Sequence, residues 1–215
     1  MLRSMDRELL QIIAVTLRMS FFSTLISCVV GLPLGVLIES GRFKGRGLVK
    51  KTLNTLMGLP PVVAGLIVYM LFTKYGPFGR LGLLFTVEVM VIAQCMLIIP
   101  IVASITASVV STNLTAVLQT AKGLRMTRAK TLRLLLNENK YALVSVVLTA
   151  FSRSIAEVGA VSLVGGNIQW KTRVMTTAIM LETNKGNFSF ALALGCVLLL
   201  ISLVVNILAG VFSND

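Results

Sequence analysis

Five blocks of apolar residues, each about as long as a bilayer is thick, fix what this chain can become. They run roughly over residues 12–38, 53–72, 86–110, 142–164 and 188–212, and a helix needs about 20 apolar residues to cross the hydrocarbon core. In lipid no water reaches the backbone, so each block must satisfy its N–H and C=O groups within itself, as a helix. The expected fold is all-α: a polytopic integral membrane protein of about five transmembrane helices in one domain over 1–215. Composition agrees, since 56% of the 215 residues are hydrophobic and only 13% are charged. A soluble domain carries about a quarter charged residues, so this chain lacks the polar side chains to cover a water-facing globule. The first block is also too long for the apolar stretch of a cleaved signal peptide and counts as a true span.

A net charge of +12 raises the question of nucleic acid, and the placement of the charge answers it. Arg42, Lys44, Arg46, Lys50 and Lys51 lie between the first two spans, and Lys122, Arg125, Arg128, Lys130, Arg133 and Lys140 between the third and fourth. The other two loops hold only Lys74 and Arg80, then Lys171, Arg173 and Lys185. Basic residues collect in cytoplasmic loops, which puts the N-terminus outside and the C-terminus in the cytoplasm. No basic groove interleaved with aromatics is present, so the expected partner is membrane lipid and not nucleic acid. The chain has no histidine, and Cys28, Cys95 and Cys196 all sit in apolar spans as small hydrophobes. No catalytic residue, no metal and no cofactor are expected.

Several features inside the spans invite a closer reading. Gly31 and Gly35 share one face of the first helix, where a second helix can approach closely, and Pro33 beside them is expected to kink it. Gly58-Leu59-Pro60-Pro61 opens the second span, and Pro100 is expected to interrupt the third. Arg18, Glu88, Arg153 and Glu157 are ionisable groups in or near the spans, each a functional candidate. Arg18 and Glu88 lie near the outer ends, where reaching water explains them. Arg153 and Glu157 stand four apart, on one expected helical face. They read either as an internal ion pair that locks the fourth helix, or as part of a gate on a translocation path. Gly165, Gly166 and Asn167 follow that helix, and read either as an ordinary turn or as a nest of N–H groups turned toward an anion.

The segment 111–140 is the least membrane-like. Ser111-Thr112-Asn113 is expected to cap a short helix over 114–121, Gly123 to stop it, and a second, basic helix to run from Thr127 towards Asn139. This arrangement resembles the cytoplasmic coupling loop of ATP-binding-cassette importer permeases. Gly123 matches that family's glycine, while Val117-Leu118-Gln119 replace its Glu-Ala-Ala, and its Leu-Pro ending is replaced near Leu135-Leu136. Downstream, Asn139-Lys140-Tyr141-Ala142-Leu143, then Phe151-Ser152-Arg153-Ser154-Ile155-Ala156-Glu157-Val158-Gly159-Ala160 and Val164-Gly165-Gly166-Asn167-Ile168, resemble the tungstate-type branch, close to molybdate and sulfate permeases. The likeness extends over nearly the whole chain.

The resemblance implies the fold of the methionine- and molybdate-type permeases in a prokaryotic cell membrane. It implies ATPase-coupling contacts on Ala116, Val117, Leu118, Gln119, Ala121, Gly123, Leu124 and Arg125. It also implies three kinds of partner: ATPase subunits, an extracytoplasmic oxyanion-binding protein, and a second copy of the chain. No Gly-x-x-x-x-Gly-Lys-Ser/Thr loop occurs, so ATP hydrolysis is expected on a partner. The expected cargo is tungstate, with molybdate or sulfate as alternatives. A channel or secondary transporter that needs no ATPase, and a non-transporting scaffold, are the rival readings.

Overall fold

A computed structural model describes residues 2–41 and 44–213; Arg42 of the first basic loop and Asp215 at the C-terminus lie outside these. Nine α-helices and no strands occur among the described residues: α1 (Leu2–Ser40), α2 (Arg46–Met57), α3 (Pro61–Phe72), α4 (Val87–Gly123), α5 (Arg128–Glu138), α6 (Lys140–Ile155), α7 (Gly159–Gly165), α8 (Met175–Asn184) and α9 (Phe188–Ser213). Three of them, α1, α4 and α9, are long and apolar enough to cross a membrane alone, and two bent pairs raise the number to five.

The centre of the bundle is α1 against α4, running in the same direction. Their packing levels advance together: Met19 clusters with Val89 and Val91, Cys28 with Ile98 and Val102, and Val36 with Val110 and Val117. The approach is closest at the two small residues. A Cβ on Gly31 would stand 2.8 Å from the Val102 Cβ, and one on Gly35 would stand 2.5 Å from the Ala103 carbonyl. Both helices run unbroken through their prolines, Pro33 and Pro100, so Pro100 does not interrupt its span. Neighbouring helices commonly re-satisfy the backbone groups that a proline frees in a membrane.

The stretch 53–72, read as one span, holds two helices at 98° to each other. Pro60 precedes another proline, which disfavours helical backbone there, and it adopts the extended φ −60°, ψ 128° of an N-cap. Pro61 follows at the first helical position, where its missing N–H costs nothing. Upstream, α2 begins at Arg46 and not near Leu53, so most of the first basic loop is helical.

The stretch 142–164 is also two helices, α6 and α7, bent by 55° at Ala156–Val158. No proline causes this break. The Glu157 carboxylate accepts the N–H of Ala160 (3.2 Å) and so starts α7, while Thr176 Oγ1 donates to the Glu157 carbonyl (2.9 Å). The two breaks meet: a Cβ on Gly159 would lie 3.0 Å from Val62 Cγ2 and 3.4 Å from Pro61 Cβ.

At the basic end α4 does not stop and restart at Ser111–Asn113. Ser111 Oγ and Thr112 Oγ1 donate back to the Ser108 carbonyl (2.6 and 3.3 Å), so the hydroxyls expected to cap are spent inside a continuing helix. At 37 residues α4 is roughly 55 Å long, far more than the ~30 Å hydrocarbon core, and its last turns project beyond it. It ends with Met126 N–H bonded to Ala121 O (2.8 Å) and Arg125 N–H to Lys122 O (3.1 Å), the double bond of a Schellman end. The left-handed residue there is Arg125 (φ 48°) and not Gly123. Thr127 caps α5 by accepting from Lys130 N–H (3.5 Å). Asn139, buried at the α5–α6 corner, accepts from Asn113 Nδ2 (3.1 Å) and donates to Leu135 O (2.8 Å). Val36, Val110, Val117 and Leu135 pack beneath, so the projection is a braced knob.

Candidate translocation and docking sites

Two places carry chemistry: the break between α6 and α7, inside the bundle, and the knob at the basic end. At the break, Arg153 and Glu157 do not share a helical face as expected. Arg153 lies in the last turn of α6, and Glu157 sits in the turn beyond it, its carboxylate 5% exposed against 43% for the Arg153 side chain. They form a loose pair, Arg153 Nη2 to Glu157 Oε2 at 3.7 Å. The carboxylate is held mainly by the helix it starts, which leaves the guanidinium open at the bundle surface. The half-exposed Arg153, loosely paired, has a free side toward the surroundings, while the buried Glu157 carboxylate also accepts one hydrogen bond from the Ala160 backbone N–H.

Next to the pair lies a buried network that sequence reasoning missed. Ser154 Oγ donates to Gln94 Oε1 (2.9 Å), Gln94 Nε2 donates to the Ser154 carbonyl (2.9 Å), and Ser23 Oγ lies 2.8 Å from Ser154 Oγ. It ties α1, α4 and α6 together at one level. That level is near Gln94, seven residues and roughly 10 Å into α4. The signal was present in the sequence. Thr16, Ser20, Ser23, Thr24 and Ser27, all buried, recur at helical spacing on one face of an apolar span.

Gly165, Gly166 and Asn167 form a packed turn. A Cβ on Gly165 would lie 2.8 Å from Met90 Sδ and one on Gly166 2.7 Å from Phe85 Cδ1; Gly166 and Asn167 take positive φ, 68° and 50°. Gly166 N–H bonds the Ser162 carbonyl (3.1 Å), Ile168 N–H bonds Thr172 Oγ1 (3.0 Å), and Asn167 Nδ2 reaches the Thr177 carbonyl (3.4 Å). Those donors are spent within the turn, where an anion nest needs them free.

In the knob, the residues implied as ATPase contacts separate into two sets. Val117 and Ala121 are buried and brace the knob from within. Ala116, Gln119, Gly123, Leu124 and Arg125 face outward, with Leu118 between; Leu124 is 69% exposed. Beside them α5 adds an open hollow lined by Met126, Lys130, Arg133, Leu134, Leu136 and Asn137, which the resemblance had not singled out. Exposed leucine ringed by basic side chains is the composition of a protein-docking surface.

The family model for the binding-protein-dependent transport system inner membrane component matches residues 31–215. The chain belongs to that family. Among curated relatives of this permease, the tungstate uptake system permease protein TupB of Peptoclostridium acidaminophilum is 37% identical over 206 residues, 96% of this chain and 90% of the relative. A probable anion ABC transporter permease protein of Haloferax volcanii is 36% identical, over 96% of this chain and 91% of its own length. Among solved structures, an inward-facing MetNI methionine ABC transporter contains a chain that superposes with a TM-score of 0.76. The likeness covers 97% of this chain and 98% of that one at 18% identity, and it establishes the shared fold. Permeases of this family sit in the inner membrane, work with a substrate-binding protein and an ATPase, and are themselves transport subunits.

Proposed function

We propose that this permease, as a homodimer, forms the path of an ATP-binding-cassette importer for an oxyanion, and that the oxyanion is tungstate. The observation that carries the transport reading is the meeting of two interrupted spans inside the bundle, beside Arg153 and Glu157. Broken helices at membrane depth are tolerated where they line a path or are buried in protein. The 37% identity to a tungstate uptake permease supports the choice of cargo.

In this reading the loops holding most of the basic residues are cytoplasmic, the N-terminus is outside and the C-terminus inside. A binding protein delivers the oxyanion at the outer end, where α4 begins. ATPase subunits dock on the outward residues of the knob, from Ala116 to Arg125, and on the α5 hollow. ATP is hydrolysed on those partners, and closure of the ATPases moves the knob and with it α4. The Arg153 guanidinium meets the anion where the spans break, and Glu157, held by Ala160 N–H, restores the pair once the anion has moved on. The path stays nearly neutral elsewhere, since a tight dianion site would block release.

The test is co-purification of the tagged permease with its ATPase, followed by ATPase assay and vesicle uptake with binding protein loaded with tungstate, molybdate or sulfate. Turnover and uptake that rise with the tungstate-loaded protein support the reading. Stimulation by molybdate or sulfate alone reassigns the cargo. Uptake without any ATPase overturns the importer.

A further inference from the structure

A second polar place lies between the break and the knob, and nothing above assigns it. Lys50, Asn54 and Met57 of α2 face Ser104, Ser108 and Ser111 of α4 across a groove of about 460 Å³. At about 30 Å³ per water, it holds a tetrahedral oxyanion with several waters. Ser104 to Ser111 stand roughly 25–35 Å along α4, at the inner edge of the ~30 Å core. The serines recur at i, i+4 and i+7 and so share one face of α4.

We infer that the α2–α4 groove is a resting site for the oxyanion at the inner mouth of the path; the inference rests on the importer reading. A fully ionised tetrahedral oxyanion accepts hydrogen bonds and donates none, so its site needs donors and no carboxylate. Ser104 Oγ donates to Asn54 Oδ1 (2.5 Å), which fixes the carboxamide and leaves its two Nδ2 hydrogens for a ligand. Ser108 is exposed in the groove, and its hydroxyl can turn to the same point, whereas Ser111 Oγ is committed to the Ser108 carbonyl (2.6 Å). No acidic residue lines the groove.

The charge beside it is graded. Glu39, buried near the end of α1, pairs with both Arg46 and Lys50. One carboxylate shared by two cations leaves a single positive charge over, enough to draw an anion and too little to trap a dianion. The same donors suit the phosphate of a lipid headgroup, so the experiment separates the two sources.

The assembled complex, with ATPase and binding protein, is placed in nanodiscs of zwitterionic lipid. Ser108→Cys is made in a Cys196→Ala background, because Cys28 and Cys95 are buried while Cys196 is exposed. A water-soluble methanethiosulfonate reagent then reads access to the groove. Tungstate at several times its Kd is expected to slow labelling about fivefold, and chloride to leave it unchanged. Asn54→Leu is expected to lower tungstate moved per ATP about tenfold, the loss of one hydrogen bond to a charged ligand, with co-purification of the ATPase retained. Labelling indifferent to tungstate, or protection that appears only when anionic lipid is added, overturns the groove as part of the path. In either case uptake by the unsubstituted complex leaves the importer reading standing. Failure of that uptake removes both.

Discussion

Gly65 of α3 lies against the backbone of Ala160 in α7: a Cβ on the glycine would stand 2.7 Å from the Ala160 Cα and 3.1 Å from its carbonyl oxygen. Backbone cannot swing aside as a side-chain tip can. Gly65→Ala is therefore expected to cost about 1–3 kcal/mol as overpacking and to pry the two broken spans apart. Thermal unfolding in detergent reads the first effect and coupled uptake the second. A Gly65→Ala protein with unchanged melting temperature and uptake would show that the α3–α7 contact is looser than described.

Glu157 has two separable jobs, starting α7 and pairing with Arg153. Glu157→Gln keeps an oxygen for Ala160 N–H and loses only the charge, so the fold is expected to hold. Glu157→Ala loses both and is expected to cost about 1 kcal/mol more, the usual worth of a cap. If the pair gates the path, Glu157→Gln changes the ratio of uptake to ATP hydrolysed while melting stays put. Should that ratio match the unsubstituted protein for both Glu157→Gln and Arg153→Gln, the gate is gone and the pair is structural.

Arg125 occupies the left-handed position of a Schellman end, where glycine is free of the Cβ clash. Arg125→Gly is expected to stabilise the permease by up to about 1 kcal/mol. Because Arg125 also faces outward, the same change is expected to weaken binding of the ATPase. Melting temperature up with affinity down is the signature. A lower melting temperature would mean that the Arg125 side chain stabilises the knob by contacts of its own.

Gln94 joins three helices through Ser154 and Ser23. Removing its amide takes one partner from the buried Ser154 hydroxyl and one from its carbonyl, which keep Ser23 Oγ and Glu157 N–H, so Gln94→Leu is expected to cost about 0.5–1.5 kcal/mol. A double cycle with Ser154→Ala separates the shared bond from packing, since coupled residues depart from additivity by about 0.5–3 kcal/mol. Strict additivity would contradict the network.

The apolar blocks were legible because membrane length and backbone hydrogen bonding leave few choices, and the fold followed from them. The two breaks were not equally visible. Pro60-Pro61 announces the first, although Leu53 to Met57 ahead of it reads as part of the same span. Ala156-Glu157-Val158 contains no helix breaker. That break is made by a carboxylate turning to Ala160 and by Thr176, nineteen residues on, donating to the freed carbonyl, and spacing alone does not reveal either contact. Ser111-Thr112-Asn113 looks like a cap, yet Val110 and Val117 both pack on Val36 and Leu135, and that packing carries the helix through. The family resemblance pointed to residues 116–125 as one set, and which of them face outward, with Val117 and Ala121 buried, needed the neighbouring α5 to be in place.

The unbroken length of α4 has a mechanical consequence. Its tightest contact with α1 is at Ala103, opposite Gly35, where neither helix has room to slip. A rigid rod pinned there behaves as a seesaw. The arm from Ala103 to Gly123 is 20 residues, roughly 30 Å, and the arm back to Val87 is 16 residues, roughly 24 Å. Under the importer reading, a push on the knob would emerge at the opposite end of α4 with reversed direction and about eight-tenths of its size. Under that reading, drawing the rod inward at one mouth would swing it outward at the other, so the two mouths of the bundle would not both stand open on the same stroke.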